Sequence, residues 1–184
     1  MKEISLHILD LVQNSIRANA SIIELTVEED TGKKDFLKVA LKDNGCGMSK
    51  EMAEAVKNPF VTTRTTRKVG LGIPMFKTGC EMCGGSFSIE SEEGVGTYLE
   101  GIYRHSHIDR PPLGDMADTM LLLIISNQQT RFVYTHKVNG EEYTLDTDEL
   151  KRILGGDIPL DDPDVTGFIK DFLVNNETEL YGGM

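Results

Sequence analysis

The sequence has 184 residues, 39% of them hydrophobic and 27% charged, and its 19 basic and 30 acidic side chains give a formal net charge of −11. A chain of this length buries roughly two thirds of the surface that its unfolded form exposes, so it needs neither disulfides nor a structural metal to fold. The acidic balance argues against nucleic acid or an anionic membrane as the main partner. The odd count of three cysteines, the lack of a signal-peptide pattern and the lack of an apolar run of about twenty residues predict a cytoplasmic chain without a membrane segment.

The charge is unevenly distributed along the chain. Residues 1–104 carry 13 basic and 15 acidic side chains, a net charge of −2, whereas residues 105–184 carry 6 and 15, a net charge of −9. Two prolines and a glycine at 111–114 interrupt regular structure between these parts. We therefore expect a domain at 1–104, a linker at 105–114 and an acidic extension at 115–184.

The first part alternates between helical and strand patterns. Residues at three- and four-residue steps over 3–18 predict an amphipathic helix with one stripe: Ile4, Ile8, Leu11, Ser15 and Ala18. Alternating apolar and polar residues predict two neighbouring strands over 22–30 and 36–44. Ser49, a good N-cap, predicts a short helix over 48–56.

The rest of the first part begins with a segment that lacks periodicity. Residues 58–70 are rich in Thr, Arg and Gly and predict a mobile loop. A helix is expected over 71–83, closed by the Gly-Gly pair at 84–85, and two strands joined by a turn are expected over 86–104. Together these elements predict an α+β fold, a two-layer sandwich in which helices cover a mixed sheet.

The acidic extension also contains regular patterns. Residues 115–127 predict a helix capped by Asp115, although their apolar run also suits a strand. Alternating residues on both sides of the Asn-Gly pair at 139–140 predict a hairpin over 131–147 with a type I′ turn. The extension is therefore expected to be ordered rather than a tail.

Two helices are predicted at the end of the chain. The first, over 146–156, is expected to be capped by Thr147 and to end at Gly155. The second, over 162–180, is expected to bury the face that carries four apolar residues: Val165, Phe168, Ile169 and Phe172.

Asp10, Asn14 and Arg17 lie at helical spacing in the first predicted helix. A four-residue step puts Asp10 and Asn14 on one face, where a carboxylate and an amide oxygen converge. The amide oxygen suits Mg²⁺, and Arg17 lies close enough to reach a phosphate. The alternative is an exposed polar face of an amphipathic helix without a ligand.

Three glycine-containing motifs follow: DNGCGM at 43–48, GLGIPM at 70–75 and GVGTYLEG at 94–101. In the first, Asp43 can accept a hydrogen bond from an exocyclic amine, while the glycines let the backbone approach a flat ligand. In the second, free N–H groups at a helix start make an anion site. Taken singly, the first and third are also typical of turns, and a lone Gly-x-Gly is a weak signal for the second.

The order of these motifs resembles the GHKL ATPase superfamily, which comprises gyrase-type topoisomerases, chaperone ATPases, histidine kinases and MutL. The pattern is Asp-x-x-x-Asn, Asp-x-Gly-x-Gly, Pro-Phe-x-Thr-Thr-Arg, Gly-Leu-Gly and Gly-x-Gly-Thr. Residues 58–64 and 69–101 are most similar to histidine-kinase catalytic domains, whereas residues 9–25 and DNGCGM resemble MutL. The resemblance covers residues 4–103 and implies a Bergerat-type ATP-binding fold.

The resemblance also implies a site for ATP and Mg²⁺. Asn14 would hold Mg²⁺ between the ATP phosphates, Arg17 would occupy the basic phosphate-binding position, and Asp43 would accept the adenine amino hydrogen. Further ATP contacts are implied in the glycine motifs: Gly45, Gly47, Gly70, Leu71, Gly72 and Thr97. Residues 57–69 would form a lid that closes over the nucleotide, with phosphate contacts from among four side chains: Thr63, Arg64, Arg67 and Lys68.

Two departures from the family pattern bear on activity. Asp10 stands where the hydrolysing members commonly carry a glutamate, so a general base is retained but is one methylene shorter. Only six residues precede His7, and no helical hairpin surrounds His105, His107 or His136, so no phosphoacceptor domain is expected in this chain. We expect slow ATP hydrolysis or phosphate transfer to a separate protein, and the alternative is a non-hydrolysing, ATP-gated binding switch.

The sequence allows several hypotheses about partners and cysteines. The candidate partners are a separate protein, from a signalling system or a redox-enzyme complex, and a second copy of the chain in a homodimer. The acidic extension suits a basic partner surface, although solvation alone explains its charge. Cys80 and Cys83 could chelate a metal or cycle as a dithiol, but their place inside a helix that packs on the sheet favours buried thiols.

Overall fold

The structure is a computed structural model that describes residues 3–58, 71–156 and 158–182. The strands are β1 (Ile22–Asp30), β2 (Phe36–Asp43), β3 (Ser86–Glu92), β4 (Gly96–Arg104), β5 (Arg131–Val138) and β6 (Glu141–Asp146). The helices are α1 (Ile4–Arg17), α2 (Lys50–Ala55), α3 (Gly72–Met82), α4 (Met116–Ser126), α5 (Thr147–Ile153) and α6 (Pro163–Gly182). The six strands form one sheet in the order β3-β4-β2-β1-β5-β6.

The sheet is mixed and is covered by helices on one side. β1 and β5 are parallel, whereas the other four neighbouring pairs are antiparallel. On β1, Ile23, Leu25 and Val27 are buried, and the side chains between them point to the other face. The helices pack on this buried face, so the predicted two-layer α+β fold is confirmed.

α1 is positioned by an apolar stripe and by a sharp stop. Ile4, Ile8 and Leu11 are at most 1% exposed and belong to the main core. Asn19, just beyond the helix, adopts a left-handed conformation (φ 59°), which turns the chain into β1. The stripe and the stop together fix which face of α1 remains open to a ligand.

The C-terminal segment completes the same sheet and the same core. β5 lies beside β1, in register from Ile22↔Arg131 to Glu29↔Val138. Residues 116–126 form a helix rather than a strand, and Asp115 caps it by accepting a hydrogen bond from the Asp118 N–H at 2.8 Å. The division into a domain at 1–104 and an extension therefore stays a prediction, although both parts share one sheet.

The predicted C-terminal hairpin is present, with the expected turn. Asn139 (φ 50°) and Gly140 (φ 96°) are both left-handed, as a type I′ turn requires. Two details of the C-terminal helices were wrong. Asp146, not Thr147, is the N-cap of α5, because its side chain accepts the Asp148 N–H while Thr147 is buried beneath the sheet edge and accepts from the Phe132 N–H.

The second error concerns α6. Val165 and Ile169 are buried as predicted, but Phe168 is 53% exposed and Phe172 is only half-buried. The helix contacts the sheet along a narrower stripe than expected, which continues through Leu173 and Leu180. None of the helices in the described ranges is long and apolar enough to span a bilayer.

The predicted linker is docked against the start of α1. Glu3, the N-cap residue of α1, makes no side-chain capping bond. Instead, the Ile4 N–H donates to the Pro112 carbonyl at 3.0 Å and the Ser5 N–H donates to the Leu113 carbonyl at 2.8 Å. Because these bonds satisfy two donors that every helix start leaves free, residues 112–113 anchor the linker to α1.

Candidate functional site

A cavity of about 750 Å³ opens between α1, the loop after β2 and the start of β4. Its walls are largely apolar, and they include Leu11, Met48, Met52, Ile73 and Leu99. Five of the residues predicted from the motifs are brought together at this cavity: Asn14, Arg17, Asp43, Gly47 and Thr97. A flat apolar slot with a few convergent polar groups is typical of a small-molecule site.

Asp43 is the fixed polar group of the cavity. It ends β2, opposite Thr97 on β4, and its carboxylate accepts two hydrogen bonds. The Gly45 N–H donates to Oδ1 at 2.9 Å, and the Ser15 hydroxyl donates to Oδ2 at 2.5 Å. Since Ser15 is only 3% exposed, these bonds hold the carboxylate in one orientation.

The loop after Asp43 requires both of its glycines. A Cβ at Gly45 would lie 2.8 Å from the Ala18 Cβ, because the loop crosses closely over the end of α1. Gly47 is left-handed (φ 64°), and a Cβ there would lie 1.9 Å from the Glu92 carbonyl oxygen. These contacts clamp the loop between α1 and the β3–β4 turn.

Ser91 joins this loop to the start of β4. Its hydroxyl accepts the Met48 N–H at 2.9 Å and donates to the Gly96 carbonyl at 3.0 Å. The same hydroxyl lies 2.8 Å from the Thr97 hydroxyl. Ser15 and Ser91 were both missed as site residues by the sequence analysis, and they hold the two predicted polar contacts, Asp43 and Thr97.

Asp10, Asn14 and Arg17 follow one another along α1 as predicted. Asn14 and Arg17 line the cavity, and an Arg17 guanidinium N–H donates weakly to the Asn14 oxygen at 3.4 Å. Asp10 is exposed, and it is not among the described residues that line the cavity. Its Cβ would lie 3.1 Å from a Cβ at Gly72, so Asp10 stands beside the start of α3.

The start of α3 is the remaining part of the predicted site. Leu71 is its N-cap residue, 57% exposed, and it makes no side-chain capping bond. Gly72 opens the helix directly against Asp10. Free N–H groups at such a helix start favour an anion.

Several predicted site residues lie outside the described residues. They are Thr63, Arg64, Arg67, Lys68 and Gly70. Their phosphate contacts stay predictions.

The cysteines and His7 play structural roles. Cys80 and Cys83 are buried, as predicted, and burial raises the pKa of the Cys80 thiol to about 12. His7 packs its ring against Phe76, with 6.1 Å between centroids, and burial lowers its pKa. Within the described ranges, no group of three or more His, Cys, Asp or Glu is arranged to hold a metal.

Comparison with known proteins places this site in a family. Residues 2–103 match the family described as histidine kinase-, DNA gyrase B- and HSP90-like ATPase. Sporulation kinase D of Bacillus subtilis (strain 168) is 37% identical over 91 residues, which cover 49% of this chain and 17% of that kinase. The sensor histidine kinase ZraS of Salmonella typhi is 30% identical over 89 residues, which cover 48% of this chain and 19% of that kinase. The chain thus spans less than a fifth of the length of these relatives.

A solved structure supports the same fold. The N-terminal domain of a DNA repair protein superposes with a TM-score of 0.55 at 14% identity, covering 79% of this chain and 53% of that one. The family match extends over more than half of the chain, from α1 to β4, and includes every residue of the cavity. The chain therefore belongs to the histidine kinase-, DNA gyrase B- and HSP90-like ATPase family.

Proposed function

We propose that the chain binds Mg²⁺·ATP and either hydrolyses it slowly or transfers its phosphate to a separate partner protein. The observation that carries this proposal is the Asp43 carboxylate, held by Ser15 and Gly45 at the polar end of an apolar cavity. A carboxylate in that setting accepts a hydrogen bond from the exocyclic amine of adenine. The apolar walls receive the faces of the base.

The phosphates would extend from the adenine along α1 toward the start of α3. Asn14 offers one amide oxygen to Mg²⁺, and one protein ligand is sufficient where phosphates and water complete the coordination. When bound, Mg²⁺ neutralises phosphate charge during transfer. Arg17 lies beside Asn14 and supplies a second positive charge, and the free N–H groups near Gly72 supply partial positive charge.

Asp10 is the candidate general base for hydrolysis. It stands one turn before Asn14 and next to Gly72, where the last phosphate would lie. An exposed aspartate on a short side chain holds a water molecule loosely, so its contribution falls toward the low end of general-base catalysis. We therefore expect slow turnover.

Incubation with γ-labelled ATP tests this proposal. The full chain should bind ATP in the presence of Mg²⁺ and release labelled phosphate slowly. Asp10→Asn should lower the release rate roughly 100-fold or more while leaving the Kd for ATP nearly unchanged, because Asp10 does not line the cavity. An unchanged rate in that variant would remove Asp10 from the mechanism.

A second function is favoured by the position of Asp10. Because Asp10 lies outside the described lining of the cavity, ATP could be bound without turnover and act as a switch for a partner surface. In that case labelled ATP binds tightly, and neither free phosphate nor labelled protein appears. The two curated relatives are kinases by name, which supports a protein as the recipient of the signal or the phosphate.

We expect Ser15→Ala to weaken ATP binding about five-fold, the worth of one hydrogen bond of about 1 kcal/mol. The substitution removes the donor that orients the Asp43 carboxylate and changes little else at this buried position. Isothermal titration calorimetry measures the effect. Ser5→Ala is the matched control, since Ser5 is equally buried on α1 but lies away from the cavity.

A further inference from the structure

A buried polar cluster lies at the end of β1 opposite the nucleotide cavity. At its centre is the imidazole of His136 on β5, which is fully buried between two carboxylates. Its Nδ1 lies 2.9 Å from the Glu177 carboxylate of α6, and its Nε2 lies 3.2 Å from Oε1 of Glu29 on β1. Both ring nitrogens thus face acceptors, and both must carry a proton to make these bonds.

The remaining groups around the cluster are donors to the same two carboxylates. Tyr134 of β5 and Tyr143 of β6 donate to Glu177 at 3.0 and 2.5 Å. Tyr181 of α6 donates to Glu29, and the His105 Nε2 lies 2.9 Å from the other Glu29 oxygen. Arg110 of the linker is the nearest further cation, acting on Tyr181. Each carboxylate therefore keeps two hydroxyl or ring donors besides His136.

The charges of the cluster favour a doubly protonated His136. Burial opposes the imidazolium, but the hydrogen bonds and charges of Glu177 and Glu29 outweigh it and raise the pKa of His136 from 6.5 to about 8. Burial likewise opposes the Glu29 carboxylate, but donation from His136, Tyr181 and His105 outweighs it and lowers its pKa to about 2. His136 therefore stabilises the fold fully below about pH 6.5 and loses that effect as the pH rises through 8.

The end of α6 depends on these bonds more than the rest of the helix does. Val165, Ile169 and Leu173 anchor its first three turns in the core, whereas after Leu173 only Leu180 is buried among the described residues. The last turn holds no basic residue to complement the helix dipole. Glu177 and Tyr181 are thus the main polar tethers of this end.

We propose that Glu29, His136 and Glu177 form a protonation latch that holds the C-terminal end of α6 on the sheet and loosens it when His136 loses a proton. In the neutral imidazole one ring nitrogen carries a lone pair that faces a buried carboxylate. That repulsion is relieved when Glu177 moves outward with the helix end. The latch acts independently of nucleotide and of the proposed ATP chemistry.

Two measurements on the full chain test the latch. The His136 ring, followed by NMR of ¹³C-labelled histidine, should titrate near pH 8, whereas the exposed His107 serves as an internal reference. Amide hydrogen exchange over residues 174–182, corrected for the intrinsic rate, should be about ten-fold faster at pH 9 than at pH 6.5. Exchange in β1 and β2 should change little.

Glu177→Gln separates the latch from a general alkaline effect. This variant keeps a hydrogen-bonding side chain but removes one negative charge, so the His136 midpoint should fall and the helix end should already loosen near neutral pH. Glu179→Gln, an exposed charge change on the same helix, is the matched control and should behave like the parent chain. A His136 midpoint at or below 6.5, or equal corrected exchange at both pH values in the parent, overturns the proposal.

Discussion

Asp43→Asn is expected to weaken ATP binding by roughly 10- to 100-fold, since a hydrogen bond to a charged group contributes about 1.5–3 kcal/mol. In the parent, the Gly45 N–H and the Ser15 hydroxyl each occupy one carboxylate oxygen. An amide has one oxygen and one NH₂, so turning the NH₂ toward Gly45 opposes two donors. Turning it the other way presents a donor to the adenine amine. Either orientation loses a favourable contact.

The control for this prediction is Asp30→Asn. Asp30 also ends a strand and accepts the N–H of the glycine two residues later, Gly32, at 2.9 Å. It lies at the far end of β1 from the cavity, so ATP affinity should not change. Calorimetric titration and thermal unfolding should be measured on both variants. If Asp43→Asn melts like the parent and binds ATP within two-fold of it, the adenine assignment is wrong.

The local elements of this fold could be predicted from sequence because their signals are short-range. Alternation identified β1 and β2, and the Asn-Gly pair identified the β5–β6 turn. The pairing of β5 with β1 could not be predicted in this way. Parallel strands 109 positions apart in register carry no turn signal, and nothing local in either strand names its neighbour.

The site was predictable where a motif carries the chemistry, and less so where a small hydroxyl supports it. Ser15 had a visible signal, because it interrupts the apolar stripe of α1 as a polar residue at a core position. Glu29 and His136 have the same signal on their strands, each following buried alternate residues. A polar residue at a core position needs a buried partner, and this rule would have indicated both groups.

Removal of residues 115–184 is expected to abolish cooperative folding of the remaining chain. β1 would lose β5 and become an edge strand, and the shared core would lose five side chains that are at most 1% exposed: Met120, Leu123, Phe132, Tyr134 and Leu173. Each such burial stabilises by at least about 1.5 kcal/mol, so their sum approaches the roughly 5–15 kcal/mol by which domains are stable.

Thermal unfolding followed by circular dichroism, together with dye binding to exposed apolar surface, measures the effect of this truncation. Residues 1–114 alone should show no sharp transition and strong dye binding. Co-expression of 1–114 with 115–184 as two chains is the control, because it cuts the covalent link and keeps the β1–β5 pairing. This pair should recover a transition and ATP binding. A sharp transition in the short chain alone would instead establish residues 1–104 as a domain that folds independently, with the C-terminal segment added to a finished core.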